Sequence, residues 1–311
     1  MSADGARAGA LRVLAPAKIN LTLEILGRRA DGYHDLDTVM TTIDLADTVR
    51  VRSADALDVR LTGRFAGNVE GDRELAAEAA TALAAAAGRE PDVAIEVEKA
   101  IPVAAGLGGG SSDAAAVLRG LDRLWGLDWP VGRLSEVAAA LGSDVPFFLR
   151  GGSARCRGRG EIVEPLRDLR PLRLLVLVPP VPPPPNKTAR RFAAVQPRDL
   201  THGERSHRIA HRLARGAPPP TADLWNAFEG VVERTESELL AHYGAYAAVV
   251  GGAPLHLTGT GPSVFLLAHE QAKVAELRRD LEGEGATVLP ARTLPRAEAL
   301  AIEEEPAGGE T

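Results

Sequence analysis

The sequence predicts an α+β fold in two domains, and three observations predict it. A chain of 311 residues exceeds the usual domain of about 100–200. Strand-type alternation and alanine-rich helical stretches are interspersed without an internal repeat, and the early strands lean antiparallel. Around Asp168–Pro171 the character changes: Leu172–Val178 is a continuous apolar run that leads into the proline stretch Pro179–Pro185, read as extended polyproline or a linker edge. The boundary falls between Arg150 and Pro171, giving domains of residues 1–160 and 161–311.

From Lys18 the chain alternates, with Ile19, Leu21, Leu23 and Ile25 apolar and Lys18, Asn20, Thr22 and Glu24 polar, the period of a half-buried strand. Lys18 and Asn20 then share a face roughly 7 Å apart, close enough to reach one small ligand, unless that face is simply solvated. Asp31-Gly32 marks a turn, and Tyr33 and His34 follow it. Strands are expected at Leu36–Leu45, Thr48–Arg52 and Leu57–Leu61, a helix over Arg73–Ala87 stopped by Gly88, and a strand over Val93–Val97.

The run Ile101–Leu118, IPVAAGLGGGSSDAAAVL, dominates the chain. Gly106, Gly108, Gly109 and Gly110 keep side chains off the backbone and tolerate positive φ, so the main chain here can wrap an anion. Ser111, Ser112 and Asp113 then read as a cap before strong helix formers, which places a helix N-terminus at the loop's end. The run lacks the lysine of GxxxxGK[ST] and the third glycine of GxGxxG, so it is neither common nucleotide fingerprint.

Val131–Leu141 reads as a helix closed by Gly142. After it Asp144 stands alone beside Pro146, Phe147 and Phe148, either a turn carboxylate or one held where apolar neighbours exclude water. Gly151, Gly152, Gly158 and Gly160 flank Cys156 and shape strand turns. Thr188–Phe192 opens a short helix, Thr201–Arg215 an exposed one and Leu224–Ala241 a longer amphipathic one. His202, His207 and His211 lie at near-helical spacing, with no carboxylate pattern beside them, and read as a solvated face. Strands Leu255–Thr258 and Val264–Leu267 flank the glycine turn Gly259–Ser263, which is either structural or packs its amides against a phosphate or the first loop. Glu270–Glu284 reads as a helix, Thr287–Leu289 and Ala299–Ile302 as closing strands, and Met1–Gly9 and Glu303–Thr311 as frayed ends.

Composition narrows the function classes. A net charge of −6 argues against a nucleic-acid surface. A single cysteine, Cys156, permits neither an internal disulfide nor a cysteine-based zinc site. No stretch approaches the ~18 apolar residues of a membrane span, nor is there a signal-peptide core, so a cytoplasmic enzyme is expected.

PAKINL near the start, IPVAAGLGGGSSDAA in the middle and LTGTGPSVF near the end resemble, in order and spacing, the three motifs of the GHMP small-molecule kinases. Within them, Pro16–Leu21, Asp31–His34 and Gly142–Phe148 resemble the 4-diphosphocytidyl-2-C-methyl-D-erythritol kinase family of non-mevalonate isoprenoid synthesis. The resemblance implies a ribosomal-protein-S5-like N-terminal ATP-binding domain, a ferredoxin-like C-terminal substrate domain, and transfer of the ATP γ-phosphoryl to the 2-hydroxyl of the erythritol moiety. It implies Asp144 as base, Lys18 as its electrostatic partner, and Asn20, Tyr33, His34 and Phe192 on the substrate. Lys99, Pro102, Ala104, Gly106, Leu107, Gly108, Gly109, Gly110, Ser111 and Ser112 would bind ATP, with Ser111 or Ser112 assisting Mg²⁺ and no resident metal ligands otherwise. Partners would be ATP and a small molecule, with no nucleic acid and no membrane. Glu74-Leu75 departs from the family's Asn-Leu near the adenine, and the prolines of Val181–Asn186 replace a Gly-Val-Ser type approach. The rival readings are a GHMP kinase for mevalonate, homoserine or a sugar, and a non-catalytic nucleotide-binding protein on the same fold.

Overall fold

The computed structural model describes residues 9–67, 70–268 and 271–306; most of both expected frayed ends, 1–8 and 307–311, and the expected helix start at 270 lie outside them. β1 (Ala10–Arg28) and β2 (His34–Ser53) form one long antiparallel hairpin. Its turn closes with Arg29 N–H donating to Tyr33 O at 2.8 Å, and Gly32 takes φ 88°. Leu36–Leu45 and Thr48–Arg52, expected as two strands, are one. A register shift opposite Pro16/Ala17 leaves Asp44 and Leu45 unpaired as a bulge, so pairing continues past an interrupted pattern.

β3 (Asp58–Thr62), α1 (Glu70–Ala87), β4 (Val93–Glu98), α2 (Gly109–Leu124), α3 (Val131–Leu141), α4 (Val145–Arg150), β5 (Ser153–Gly158) and β6 (Ile162–Pro165) follow. The second half comprises β7 (Arg173–Val178), α5 (Lys187–Ala193), α6 (Glu204–Ala214), β8 (Trp225–Asn226), α7 (Phe228–Thr235), α8 (Ser237–Val249), β9 (His256–Leu257), β10 (Val264–Leu267), α9 (Gln271–Gly283), β11 (Thr287–Arg292), α10 (Arg296–Ala299) and β12 (Ile302–Glu305). One sheet runs β12-β1-β2-β4-β3, with β5 on β2, β6 on β5 and β8 on β1; the other runs β11-β7-β10-β9. This is the α+β arrangement of two sheets with helices packed on them. β8 and β12 come from the second half yet cover the edge of β1, which would otherwise leave a row of unpaired backbone groups. Glu303–Glu305 are thus strand residues, not frayed, and Ala299 ends a helix where a strand was expected.

Alanines explain the close packing of α1 and α2. Ala76, Ala79 and Ala80 meet Ala114–Leu118 over Val49, Val51, Ile95 and Val97, and all are buried. Ala17, Ile19 and Leu21 of β1 pack instead with Leu174, Val176 and Phe265 of the second sheet, so β1 belongs to both cores. Its polar partners Lys18, Asn20, Thr22 and Glu24 are buried too, at 3, 3, 0 and 1% exposure.

Leu224–Ala241 is not one helix. Asn226 leaves helical geometry because its amide nitrogen donates to Leu257 O (2.9 Å) and Gly259 O (2.8 Å), while its oxygen accepts from Phe228 N–H (3.0 Å). A second break at Glu236 lets that carboxylate pair with Arg191 at 2.6 Å, and the helix then continues to Val249. Replacement Asn226→Ala strands three buried backbone groups, at about 1–3 kcal/mol each before relaxation. Chemical denaturation should therefore show a loss of at least about 2 kcal/mol with an unchanged m-value.

Candidate active site

The site lies where the first glycine loop, the β1 polar face and the third-motif loop meet. The chain reaches the first loop from β4, and Gly106 (φ 85°) and Gly108 (φ 74°) turn it in the left-handed region. A Cβ on Gly106 would stand 2.3 Å from Thr258 O and 3.0 Å from Gly261 N, so the two glycine loops touch backbone to backbone. The second loop thus packs against the first, one of the arrangements left open by its glycine turn. Helix α2 starts earlier than expected, with Gly108 as its cap and Gly109 and Gly110 in its first turn, and its free N–H groups face the loop. Asp113 is no cap: it is buried inside the helix.

Lys18 is anchored from both ends. Its N–H donates to Leu107 O at 2.9 Å, and its Nζ donates to Asn20 Oδ1 at 2.7 Å and lies 3.8 Å from Asp144 Oδ2. Burial lowers the Lys18 pKa, and the Asp144 carboxylate opposes that shift. Asp144 immediately precedes α4, whose Pro146 suits a first turn, and it makes no capping bond. Its carboxylate is therefore free to face Lys18 and the cleft, with Phe147 and Phe148 buried behind. Asn20 Oδ1 also accepts from Gly259 N–H at 2.8 Å, and its Nδ2 donates to Thr38 Oγ1 at 2.8 Å. Asn20 thus holds the ammonium and the third-motif loop, and it also lines the cleft in which it is expected to meet substrate.

Both clusters open into one cleft of about 1310 Å³, lined by residues from each half of the chain. At its other end the rings of His34 and Phe192 stack at 5.1 Å, and Phe228 meets Phe192 edge-on at 4.9 Å. Tyr33 is 53% exposed beside them, with the Arg159 guanidinium 4.9 Å over its ring. Burial and the Arg28 charge hold His34 below its ordinary pKa. Pro183–Pro185 line the same cleft, so the proline run is a wall of the site and no linker.

Of the residues expected at ATP, Ala104, Gly106, Gly108 and Ser111 line the cleft. Pro102 and Leu107 are buried behind the loop, and Ser112 is buried too, its Oγ donating to Pro16 O at 2.7 Å, so of the two serines Ser111 is the one that lines the cleft. Lys99 does not face the cleft. Its Nζ is buried among Asp113 (2.6 Å), Asp47 (2.7 Å) and Asp72 (2.9 Å), and these carboxylates outweigh burial and raise its pKa. The repulsion and burial push Asp113 well up in turn. Glu74 is exposed on α1 and is not part of the cleft lining. The histidines His202, His207 and His211 are exposed as expected, and no cluster able to hold a metal ion occurs among the described residues.

Sequence reading missed Asn226 and Lys187. Asn226 sat inside an amphipathic pattern that hid it. Lys187 follows the prolines where no periodicity applies, yet its Nζ donates to Ala104 O (2.6 Å) and to Gly261 O.

Because removing one partner of a buried charge cluster leaves the rest uncompensated, Lys99→Met should cost about 3–5 kcal/mol in chemical denaturation. The folded fraction should keep its nucleotide affinity within about twofold, checked by titration with an ATP analogue.

Comparison with known proteins agrees with this geometry. Residues 74–152 match the family model described as GHMP kinases N terminal domain. A protein of Bacillus pumilus named 4-diphosphocytidyl-2-C-methyl-D-erythritol kinase is 36% identical over 298 residues, covering 93% of this chain and 100% of its own. One of the same name from Dehalococcoides mccartyi is 35% identical over 275 residues, 88% and 95% of the two chains. A crystal structure of 4-(cytidine 5'-diphospho)-2C-methyl-D-erythritol kinase superposes with TM-score 0.73 at 36% identity, over 91% of this chain and 99% of the other. A homoserine kinase from Cytophaga hutchinsonii, 15% identical with TM-score 0.67, shares the fold. With its two glycine loops, its two-sheet fold and near-full-length relatives at over 30% identity, this chain belongs to the 4-diphosphocytidyl-2-C-methyl-D-erythritol kinase family of GHMP kinases.

Proposed function

We propose that the protein transfers the γ-phosphoryl group of ATP to the 2-hydroxyl of 4-diphosphocytidyl-2-C-methyl-D-erythritol. The observation that carries this reading is the Lys18–Asp144 pair, 3.8 Å apart and beside the glycine loop. The loop amides and the α2 N-terminus cradle the phosphates. Asp144 orients the tertiary hydroxyl and takes its proton as the new O–P bond forms and the bond to the β-phosphate oxygen breaks, releasing ADP. Phosphoryl transfer has a loose transition state, so the proton leaves late and positioning dominates. The buried Lys18 ammonium pairs with Asp144 and offsets charge on the transferring group. At the far end, His34, Phe192 and Tyr33 take the cytosine, whose flat face suits stacking on a ring. Residues 1–160 then supply the glycine loop for ATP and most of the groups on the alcohol, and 161–311 closes the alcohol's side with Phe192, within a cytoplasmic, small-molecule reaction.

Mg²⁺ fits as an ion carried on the nucleotide. Ser111 and Asp144 are oxygen donors lining the cleft, while the described residues form no ligand cage, as suits an ion that keeps waters and substrate phosphates. When bound it neutralises charge on the β- and γ-phosphate oxygens.

Purified protein offered Mg-ATP and a panel of alcohols should release ADP with the cytidine diphosphate alcohol. Release with mevalonate or homoserine instead overturns the assignment. Asp144→Asn should lower kcat by about 10²–10⁴ while ATP-analogue binding changes little, as measured by turnover and titration. His34→Ala should raise KM for the cytidine alcohol about tenfold and leave KM for ATP within twofold.

A further inference from the structure

Lys187 stands at the first turn of α5, and its ammonium is buried at the junction of the two glycine loops, donating to Ala104 O of the first and Gly261 O of the second. It lines the same cleft as Lys18, Gly106 and Ser111. The phosphate loop itself carries no lysine after its glycines, and Lys99 before them is buried among three aspartates. The charges around Lys187 are mostly of its own sign. Arg191 lies on the next turn of α5, with its Nη1 buried and unbonded, and only Glu236 balances it. Lys18 also acts on Lys187, its charge shared with Asp144. Tyr243 on α8 donates to Pro262 O and stays neutral, pushed up by burial. Among the described residues, the hydrogen-bond partners of this buried ammonium are two carbonyl dipoles, and Glu236 is the anion set against its neighbouring cations. That arrangement is costly for the protein alone and is relieved by an anion.

We propose that Lys187 is the nucleotide-phosphate cation of this enzyme, supplied by the second half of the chain and aimed by both glycine loops at the triphosphate. The inference rests on the ATP-dependent reading above. Burial, reinforced by Arg191 and Lys18, lowers Lys187 to about 7, so above neutral pH much of it is uncharged until a polyanion arrives. A polyanion raises that value again, and binding takes up a proton. The sign follows: affinity for nucleotide falls as pH rises through about 7, and proton uptake grows over the same range.

The native protein tests this without substitution. Calorimetric titration with a non-hydrolysable ATP analogue at pH 8, in two buffers of different ionisation enthalpy, should show uptake approaching one proton per nucleotide, and far less at pH 6. Lys187→Met should abolish most of that uptake and weaken the analogue about tenfold, and Lys187→Arg should recover the affinity without the pH dependence. Binding with no proton uptake by the native protein, or with uptake unchanged in Lys187→Met, overturns the inference while leaving the kinase reading intact. No binding of the analogue at all would overturn the ATP reading instead. A variant that loses thermal stability but keeps native affinity and uptake would make Lys187 a strut between loops, and the proposal false.

Discussion

One side-chain oxygen holds the site together. Asn20 Oδ1 accepts from the Lys18 ammonium at 2.7 Å and from the Gly259 amide at 2.8 Å. Both partners can only donate, so the amide has one orientation, with its nitrogen turned to Thr38. Through this atom the Lys18 ammonium on β1 and the third-motif loop of the second half take a common position. The register shift between Asn20 and Thr22 sits beside it, re-aiming β1 where chemistry is to be done.

Burial gives that contact its strength and also its cost. Lys18, Asn20, Thr22 and Glu24 alternate on a strand whose both sides are covered, so each needs a partner. Thr22 finds Ser206 at 2.8 Å, and Glu24 accepts the Ser206 N–H at 2.7 Å. Lys99 solves the same problem with three carboxylates, directly beneath the first glycine loop: a Cβ on Gly109 would lie 3.4 Å from its Nζ. Its charge therefore supports the loop from below and is spent on Asp47, Asp72 and Asp113.

Helix α5 joins the two ends of the cleft. Its first turn bonds both glycine loops through Lys187, Thr188 Oγ1 stands 3.2 Å from Thr260 Oγ1, and its last turn carries Phe192 against His34. A seven-residue helix would be marginal alone, and here its contacts at both ends fix it. The wall of prolines before it has little backbone freedom to lose, which suits a surface that must hold its shape.

Sequence by itself determined what local rules govern. Period-two alternation located β1, the glycine run located the loop at the start of α2, and the motifs named Lys18, Asp144, His34 and Phe192, which the fold does gather into one cleft. The bulge that fuses two apparent strands into β2, the breaks at Asn226 and Glu236, and the return of β12 to β1 were not readable. The two breaks and the return each depend on a partner remote in the chain: a carbonyl of β9, a guanidinium on α5, an open strand edge. The same reason separates the lysines. Lys99 and Lys187 look alike as residues in polar company, and only tertiary packing assigns one to three buried aspartates and the other to two loop carbonyls, because the energy of a buried charge is set by its neighbours in space and not by its neighbours in sequence.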